Sequence, residues 1–184
     1  ANAIEEALAS GSERLVFLVT QKTAEDEDPR AEDLHPVGCI GMIMRMAKMN
    51  DGRVKVLVQG LVKARVKRFL RSHPSFAVEP ERVVDVPLTG ALKVEAEALV
   101  RTAKDNLDRY ITLGKTIPQE VMMVVQPIED AGRLSDLIAS NLSLKVEEGQ
   151  ALLEMANPVE RLARVNGYLE RELEILNLQQ RIQD

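Results

Sequence analysis

The chain has 184 residues, of which 45% are hydrophobic and only 3% aromatic, and its formal net charge is −5 at pH 7. This length suffices for one domain with a sizeable core or for two small subdomains, whereas the acidic balance and the scarcity of aromatics disfavour recognition of nucleic acid. No apolar run approaches the roughly 18 residues of a membrane span, and the N-terminus lacks the features of a signal peptide.

The first half of the sequence predicts one short helix and then several β-strands. Apolar residues at helical spacing predict a helix over residues 2–9, which Gly11 ends. The apolar run RLVFLVTQ predicts a strand over residues 14–21, and the acidic, proline-containing stretch that follows predicts a surface loop. A last strand is predicted in FAVEPERVVDVP, residues 76–87, with a break or bend at Pro80.

A long β-hairpin is the strongest local prediction in this half. The runs VGCIGMIMRMAKM and RVKVLVQGLVKARVKRFL flank the tripeptide NDG at residues 50–52. Because Asn and Asp followed by Gly tolerate positive φ angles, a type I′ turn is expected there. Gly60 is expected to mark a bulge or bend in the second strand.

From Leu92 onward the apolar residues recur at helical spacing. The last predicted helix has Asn157 as its N-cap and Pro158 at its first helical position. At about 1.5 Å per residue, this helix reaches roughly 40 Å. The predicted helices span residues 91–113, 118–126, 130–140, 145–154 and 158–183.

The change from strand-like to helical spacing of the apolar residues divides the chain into two parts and predicts its fold class. Residues 1–88 are predicted to form a β-rich subdomain, and residues 89–184 an α-helical bundle that ends in the long helix 158–183. We therefore predict an α+β fold.

Residues 113–116, LGKT, look like the end of a phosphate-binding P-loop. The full pattern needs a glycine five residues before the glycine of GKT, and a strand that leads into the loop. Arg109 occupies the earlier glycine position, and a helical pattern precedes the loop. We interpret residues 114–116 as a turn between two helices, and expect no ATP site in this chain.

No other set of residues predicts catalysis or a metal site. No serine lies in a nucleophile elbow, and the acidic pairs on the helices have no partner histidine. The single Cys39 is interpreted as a buried structural thiol, which suits a reducing cytoplasm. His35 and His73 each precede a proline and are interpreted as loop residues. We expect no active site, cofactor or metal in these residues.

Two surface features carry hypotheses of binding. Met42, Met44, Met46 and Met49 crowd one strand of the hairpin, and methionine suits surfaces that accept many apolar sequences; the alternative is gap-filling in a core with few aromatics. A basic run is interpreted as the solvated face of an edge strand, with a nucleic-acid contact as the alternative. Its residues are Lys63, Arg65, Lys67 and Arg68.

The hairpin sequence and the end of the chain resemble a known family. The stretch DLHPVGCIGMIMRMAKMNDGRVKVLVQGLVKARV, the upstream FLVTQK and the closing VERLARVNGYLERELEILNLQQRIQ resemble the N-terminal domain of the ATP-dependent Lon protease. The resemblance covers nearly the whole chain, and its specific part is the hairpin over residues 33–66. The chain also lacks an initiator Met and a stop signal for its last helix, which predicts a fragment of a longer protein.

The resemblance implies a PUA-like β subdomain, a helical bundle, and a long helix leading toward an AAA+ ATPase ring and a proteolytic domain with a Ser-Lys dyad. ATP and Mg²⁺ are expected only in that ATPase domain. The family pattern starts with a proline-containing apolar strand ahead of the first helix. This chain lacks that strand, so an unpaired edge is expected in the sheet.

These observations lead to one principal hypothesis and two alternatives. The principal hypothesis is a module that recognises unfolded or damaged proteins and supports assembly of a hexameric parent with its ATPase ring. The alternatives are an oligomerisation element that pairs through the last helix, and a nucleic-acid contact through the basic run. The predicted substrate-binding residues are Met42, Met44, Met46, Ile175, Leu178 and Ile182.

Overall fold

The structure is a computed structural model that describes residues 2–11 and 13–183. An antiparallel β-sheet is followed along the chain by α-helices that end in a long helix, so the predicted α+β fold is confirmed. The chain divides into two compact units with a boundary between Val84 and Asp85. We call them the sheet unit and the helical unit.

Over its described residues, the sheet unit contains four strands, and each strand pairs antiparallel with the next one along the chain. The first and last strands are therefore the two edges of the sheet. Its elements are helix α1 (Asn2–Ala9), β1 (Leu15–Leu18), a 3-10 helix (Ala31–Asp33), β2 (Val37–Lys48), β3 (Val54–Arg71) and β4 (Ala77–Arg82).

The last strand is shorter than predicted, because β4 ends at Arg82 rather than at residue 87. The Val83 N–H still donates to the Lys63 carbonyl, at 3.0 Å. The Val86 N–H instead donates to the Ala156 carbonyl in the helical unit, at 2.9 Å, so this residue cannot continue the ladder of the sheet.

The predicted hairpin is present, but the predicted turn type is wrong. A type I′ turn needs positive φ at both central residues, and neither Asn50 nor Asp51 has one. Instead Gly52 alone adopts a φ of 82°, and the Met49 N–H donates to the Arg53 carbonyl at 2.8 Å, which closes a three-residue loop. Asp51 accepts hydrogen bonds from the Arg53 backbone and guanidinium, which hold this longer turn.

Glycines allow the strands of the sheet to approach closely. The register between β2 and β3 shifts where Gly41 faces Gly60, so the predicted bulge at Gly60 is confirmed. A Cβ atom added at Gly38 would lie 2.0 Å from the Leu18 carbonyl oxygen. Any side chain at residue 38 would therefore separate β1 from β2.

The sheet unit has a small apolar core. Among its described residues, the buried hydrophobic side chains are Val37, Ile43 and Ala64. Many of its other large apolar side chains stay exposed, including Leu15, Leu18, Leu57, Leu61 and Leu70. The sheet unit therefore leaves much of its apolar side-chain surface accessible.

The helical unit holds the main hydrophobic core. Its long last helix begins at an N-cap as predicted, because the Val159 N–H donates to the Asn157 side chain at 3.0 Å. One apolar stripe of this helix is buried, and it consists of Leu162, Val165, Leu169, Leu173 and Leu176. The helices are α2 (Ala91–Thr112), α3 (Gln119–Val125), α4 (Ala131–Ser140), α5 (Val146–Glu154) and α6 (Pro158–Gln183).

A buried arginine joins three parts of the helical unit. The guanidinium of Arg161 in α6 is only 1% exposed and makes two hydrogen bonds to the Asp85 carboxylate, at 2.9 and 2.7 Å. The same guanidinium donates to the Ser135 hydroxyl at 3.0 Å and to the Met155 carbonyl at 2.6 Å. These bonds fix the segment that enters the helical unit onto α4 and α6.

Candidate functional site

Part of the hairpin extends beyond the rest of the sheet. Strand β1 pairs only with residues 39–42 of β2, and β4 pairs only with residues 64–71 of β3. Residues 44–57, which we call the hairpin arm, therefore pair only with each other. Among the described residues, the arm is therefore a two-stranded ribbon without a third strand beside it.

The hairpin arm carries apolar side chains that are not buried. Met44 is 48% exposed and Leu57 is 62% exposed, and Met49 at the turn is exposed too. Met46 and Val56 are half-buried. No residue of the arm is fully buried, so its apolar atoms are available to another molecule.

The predicted methionines do not form a single stripe. The register between β2 and β3 shifts at Met44, which is the extra residue of a β-bulge. Because a bulge breaks the alternation of a strand, Met42 and Met46 lie on opposite faces of the sheet, and both are half-buried. Of the three predicted hairpin residues, Met44 is the exposed one.

Leu57 was not predicted as a binding residue, although the sequence contains a signal for it. Val54, Val56 and Val58 alternate with Arg53, Lys55 and Leu57, so the leucine occupies the polar face of the strand. A large apolar side chain on the polar face of a strand points away from the core, so it is expected to be exposed to solvent. Leu57 pairs with Arg45 across the hairpin.

The end of helix α6 presents a second apolar surface. Ile175, Leu178 and Ile182, spaced by three and four residues, lie on one side of the helix and are all exposed, Ile182 by 83%. We call these three residues the helix stripe. These residues belong to the helical unit, whereas the hairpin arm belongs to the sheet unit.

Helix α3 exposes two more apolar side chains. Met123 is 72% exposed and its neighbour Val124 is exposed too, whereas Met122 is half-buried.

The turn before this helix is the GKT segment. Gly114 adopts a φ of 94°, and the Lys115 N–H donates to the Tyr110 carbonyl, as expected where a helix ends.

Acidic residues of β4 lie beside the basic run of β3 and partly neutralise its charge. Both Lys67 and Arg68 form ion pairs with Glu79, and Arg65 lies opposite Glu81 in the sheet. Such pairing reduces the positive field that a phosphate backbone requires. The basic run therefore lacks the character of an uncompensated nucleic-acid surface.

Neither a metal-binding cluster nor a membrane-spanning helix is present among residues 2–11 and 13–183. In this part of the chain, no group of three or more His, Cys, Asp or Glu side chains is arranged to hold a metal ion. No described helix is both long and apolar enough to cross a membrane.

Comparison with known proteins gives one consistent result. The family described as "ATP-dependent protease La (LON) substrate-binding domain" matches residues 1–171. The Lon protease of Geobacter metallireducens is 47% identical over 182 residues, which are 99% of this chain and 22% of that protein. Lon protease 2 of Bdellovibrio bacteriovorus is 45% identical over 176 residues, which are 96% of this chain and 22% of that protein.

A solved structure supports the fold. The N-terminal domain of the Mycobacterium avium complex Lon protease matches with a TM-score of 0.60 and 23% identity, over 86% of this chain and 90% of that one. The chain spans about a fifth of the length of the curated relatives.

Proposed function

The chain belongs to the substrate-binding domain family of the ATP-dependent La (Lon) proteases, and from that premise we propose that it recognises non-native polypeptides through exposed apolar side chains. It then presents the captured chain to the other parts of a Lon-type protease. The observation that carries this proposal is the hairpin arm, where Met44 and Leu57 stay exposed on two strands that, among the described residues, pair only with each other.

Physical estimates support weak and unspecific capture by each surface. Burying about 200 Å² of apolar area stabilises a complex by about 5 kcal/mol before the cost of ordering the chain. Without those costs the dissociation constant of one surface would be on the order of 0.2 mM, so the actual binding by one surface is weaker than that. Several copies of the domain in one assembly raise the apparent affinity, because later contacts become intramolecular.

The chemistry of the protease is assigned to segments outside this chain. The ATPase ring, with ATP and Mg²⁺, and a Ser-Lys peptidase dyad belong to the proposed parent, which we propose to be a hexamer. A reducing cytoplasm suits the single free cysteine, Cys39.

The double variant Met44→Gln, Leu57→Gln tests the hairpin arm. Each glutamine keeps a similar length but removes apolar surface, so we expect a loss of about 2 kcal/mol, roughly thirtyfold, in affinity for an unfolded protein. The variant Met123→Gln is the control, because it removes an even more exposed methionine from helix α3. Affinities are measured by fluorescence anisotropy, and circular dichroism checks the fold. Equal affinities of the double variant and the wild type would contradict the role of the arm.

Assembly between copies of the chain is a second candidate function, which the helix stripe favours. An apolar side chain every three and four residues is the pattern by which helices pair. Assembly through the stripe predicts that the mass measured by sedimentation equilibrium rises with protein concentration, and that Leu178→Gln reduces this rise. A mass equal to one chain at every concentration would contradict it.

A further inference from the structure

The hairpin arm carries an excess of positive charge. Residues 44–57 contain four basic residues, Arg45, Lys48, Arg53 and Lys55, and one acidic residue, Asp51. Asp51 forms an ion pair with Arg53, in which the guanidinium nitrogen and the carboxylate oxygen are 2.6 Å apart. With four basic residues and one acidic residue, the arm has a formal net charge of +3, although the net charge of the chain is −5.

The strand register places two of these cations on one face with an exposed leucine. Arg45 lies directly opposite Leu57, and Ala47 lies directly opposite Lys55. Directly opposite residues share a face of a sheet, and so do residues two positions apart in one strand. All four side chains are exposed. We call the surface formed by Arg45, Ala47, Lys55 and Leu57 the Leu57 face.

Positive charge flanks the Leu57 side chain in two directions. Opposite residues of an antiparallel pair have Cβ atoms about 5 Å apart, so Arg45 lies next to Leu57 across the hairpin. Residues two positions apart along a strand are separated by about 7 Å, which places Lys55 beside Leu57 toward the turn. Among the described residues, neither Arg45 nor Lys55 has an ion-pair partner, since Asp51 is engaged by Arg53.

This arrangement discriminates between polypeptide segments by their charge. A segment that packs an apolar side chain against Leu57 brings its neighbouring side chains next to Arg45 and Lys55. Carboxylates there form favourable ion pairs, whereas lysine or arginine side chains are repelled. The apolar contact supplies the affinity, and the two cations decide between segments of equal hydrophobicity.

The composition of the arm favours an acidic polypeptide over a nucleic acid as its partner. Residues 44–57 contain no aromatic side chain on which a base could stack. The exposed side chains of Met44 and Leu57 bury apolar surface against a polypeptide, but find no apolar partner on a sugar–phosphate backbone.

We propose that the Leu57 face selects those segments of non-native polypeptides in which apolar residues are flanked by acidic ones, and that Arg45 and Lys55 determine this specificity. The inference rests on the proposed function and specifies the class of segment that the hairpin arm captures. An unfolded protein also offers apolar segments without flanking charges, so its overall binding depends on charge less than the binding of one acidic segment does.

The test uses three peptides that share a central pair of leucines and differ only in the flanking residues, which are glutamate, glutamine or lysine. Each peptide is titrated into the isotope-labelled chain, and amide chemical shifts are followed by NMR, which measures weak binding and locates it. We expect shifts at the amides of Arg45, Lys55 and Leu57. The glutamate peptide is expected to bind on the order of tenfold more tightly than the lysine peptide, with the glutamine peptide between them. High salt should reduce this difference to about twofold, because it screens exposed charges.

Two variants with the same loss of charge separate the Leu57 face from the rest of the chain. The double variant Arg45→Gln, Lys55→Gln should bind all three peptides with affinities within about twofold of each other, and should bind the glutamine peptide as the wild type does. The control is Lys48→Gln, Lys93→Gln. Lys48 pairs with Val54 on the other face of the arm, and Lys93 lies in α2, so the control should keep most of the preference.

The outcomes distinguish this inference from the proposed function. Equal affinities of the wild type for the three peptides, with retained binding of unfolded protein, would overturn charge selection and leave the proposed function intact. A preference that survives in the Arg45→Gln, Lys55→Gln variant would overturn the assignment to these residues. Displacement of the glutamate peptide by a single-stranded oligonucleotide that binds the arm more tightly would overturn the choice of partner. Loss of all binding to unfolded protein would contradict the proposed function itself.

Discussion

Replacing Asp85 with alanine is expected to lower the free energy of unfolding of the helical unit by about 3 kcal/mol. The substitution removes two hydrogen bonds to Arg161 and leaves a charged guanidinium buried. Burial would by itself lower the pKa of Arg161, but the hydrogen bonds to Asp85 and the charges of Asp136 and Asp85 hold that pKa above its ordinary value. The arginine therefore stays charged, and the loss of Asp85 removes a large part of the negative charge and of the hydrogen-bond acceptors that stabilise it.

The expected loss of unfolding free energy lies at the lower end of the range for a buried ion pair that has lost one partner. Asp136 remains 3.1 Å from the Arg161 guanidinium, and the Ser135 hydroxyl still accepts from it. Gly132 also depends on this cluster, because a Cβ atom there would lie 2.4 Å from an Asp85 carboxylate oxygen.

The matched variant Arg161→Met removes the buried charge instead of its partner. Asp85 is 37% exposed and regains water, while methionine fills apolar space, so we expect this variant to lose less stability than Asp85→Ala. Urea titrations followed by far-UV circular dichroism measure both. A larger loss for Arg161→Met would show that the hydrogen bonds of Arg161, rather than the buried charge, dominate.

The helices follow from the sequence because their signals are local. The prediction of a helix over residues 91–113 agrees with the observed Ala91–Thr112, and the prediction over residues 158–183 agrees with Pro158–Gln183. Caps, proline positions and apolar spacing all act within a few residues. The ion pair between Asp85 and Arg161 spans 76 positions, and no periodic pattern records it.

The errors in the sheet have a different cause. The turn type at Gly52 depends on side-chain bonds of Asp51, and the bulge at Met44 depends on the pairing register. The bulge requires two paired strands, whereas the turn bonds join residues only two positions apart and their geometry is not encoded by the Asn-Asp-Gly pattern alone. The bulge also decides which methionines share a face, so exposure at Met42 and Met46 could not be read from alternation.

The exposure of the helix stripe is easier to predict from the sequence. Ile175, Leu178 and Ile182 fall beside, not within, the stripe that packs into the core, and a second apolar stripe on a helix has no core left to enter. The assignment of these residues to substrate remains a prediction.

The second large effect that we expect is discrimination between two forms of one protein. An unfolded chain offers extended apolar segments, whereas its native form buries them, so the domain should bind the unfolded form at least tenfold more tightly. Apolar capture is only weakly affected by screening of charge. Binding is therefore expected to change little between low and high salt, in contrast to a nucleic-acid contact.

The most direct test of this account is a fluorescence anisotropy titration of one labelled protein, in a destabilised unfolded form and in its native form, with the chain described above. We predict binding of the unfolded form at both low and high salt, and much weaker binding of the native form. Equal affinity for the two forms, or binding that high salt abolishes, would contradict recognition of non-native chains through apolar surface.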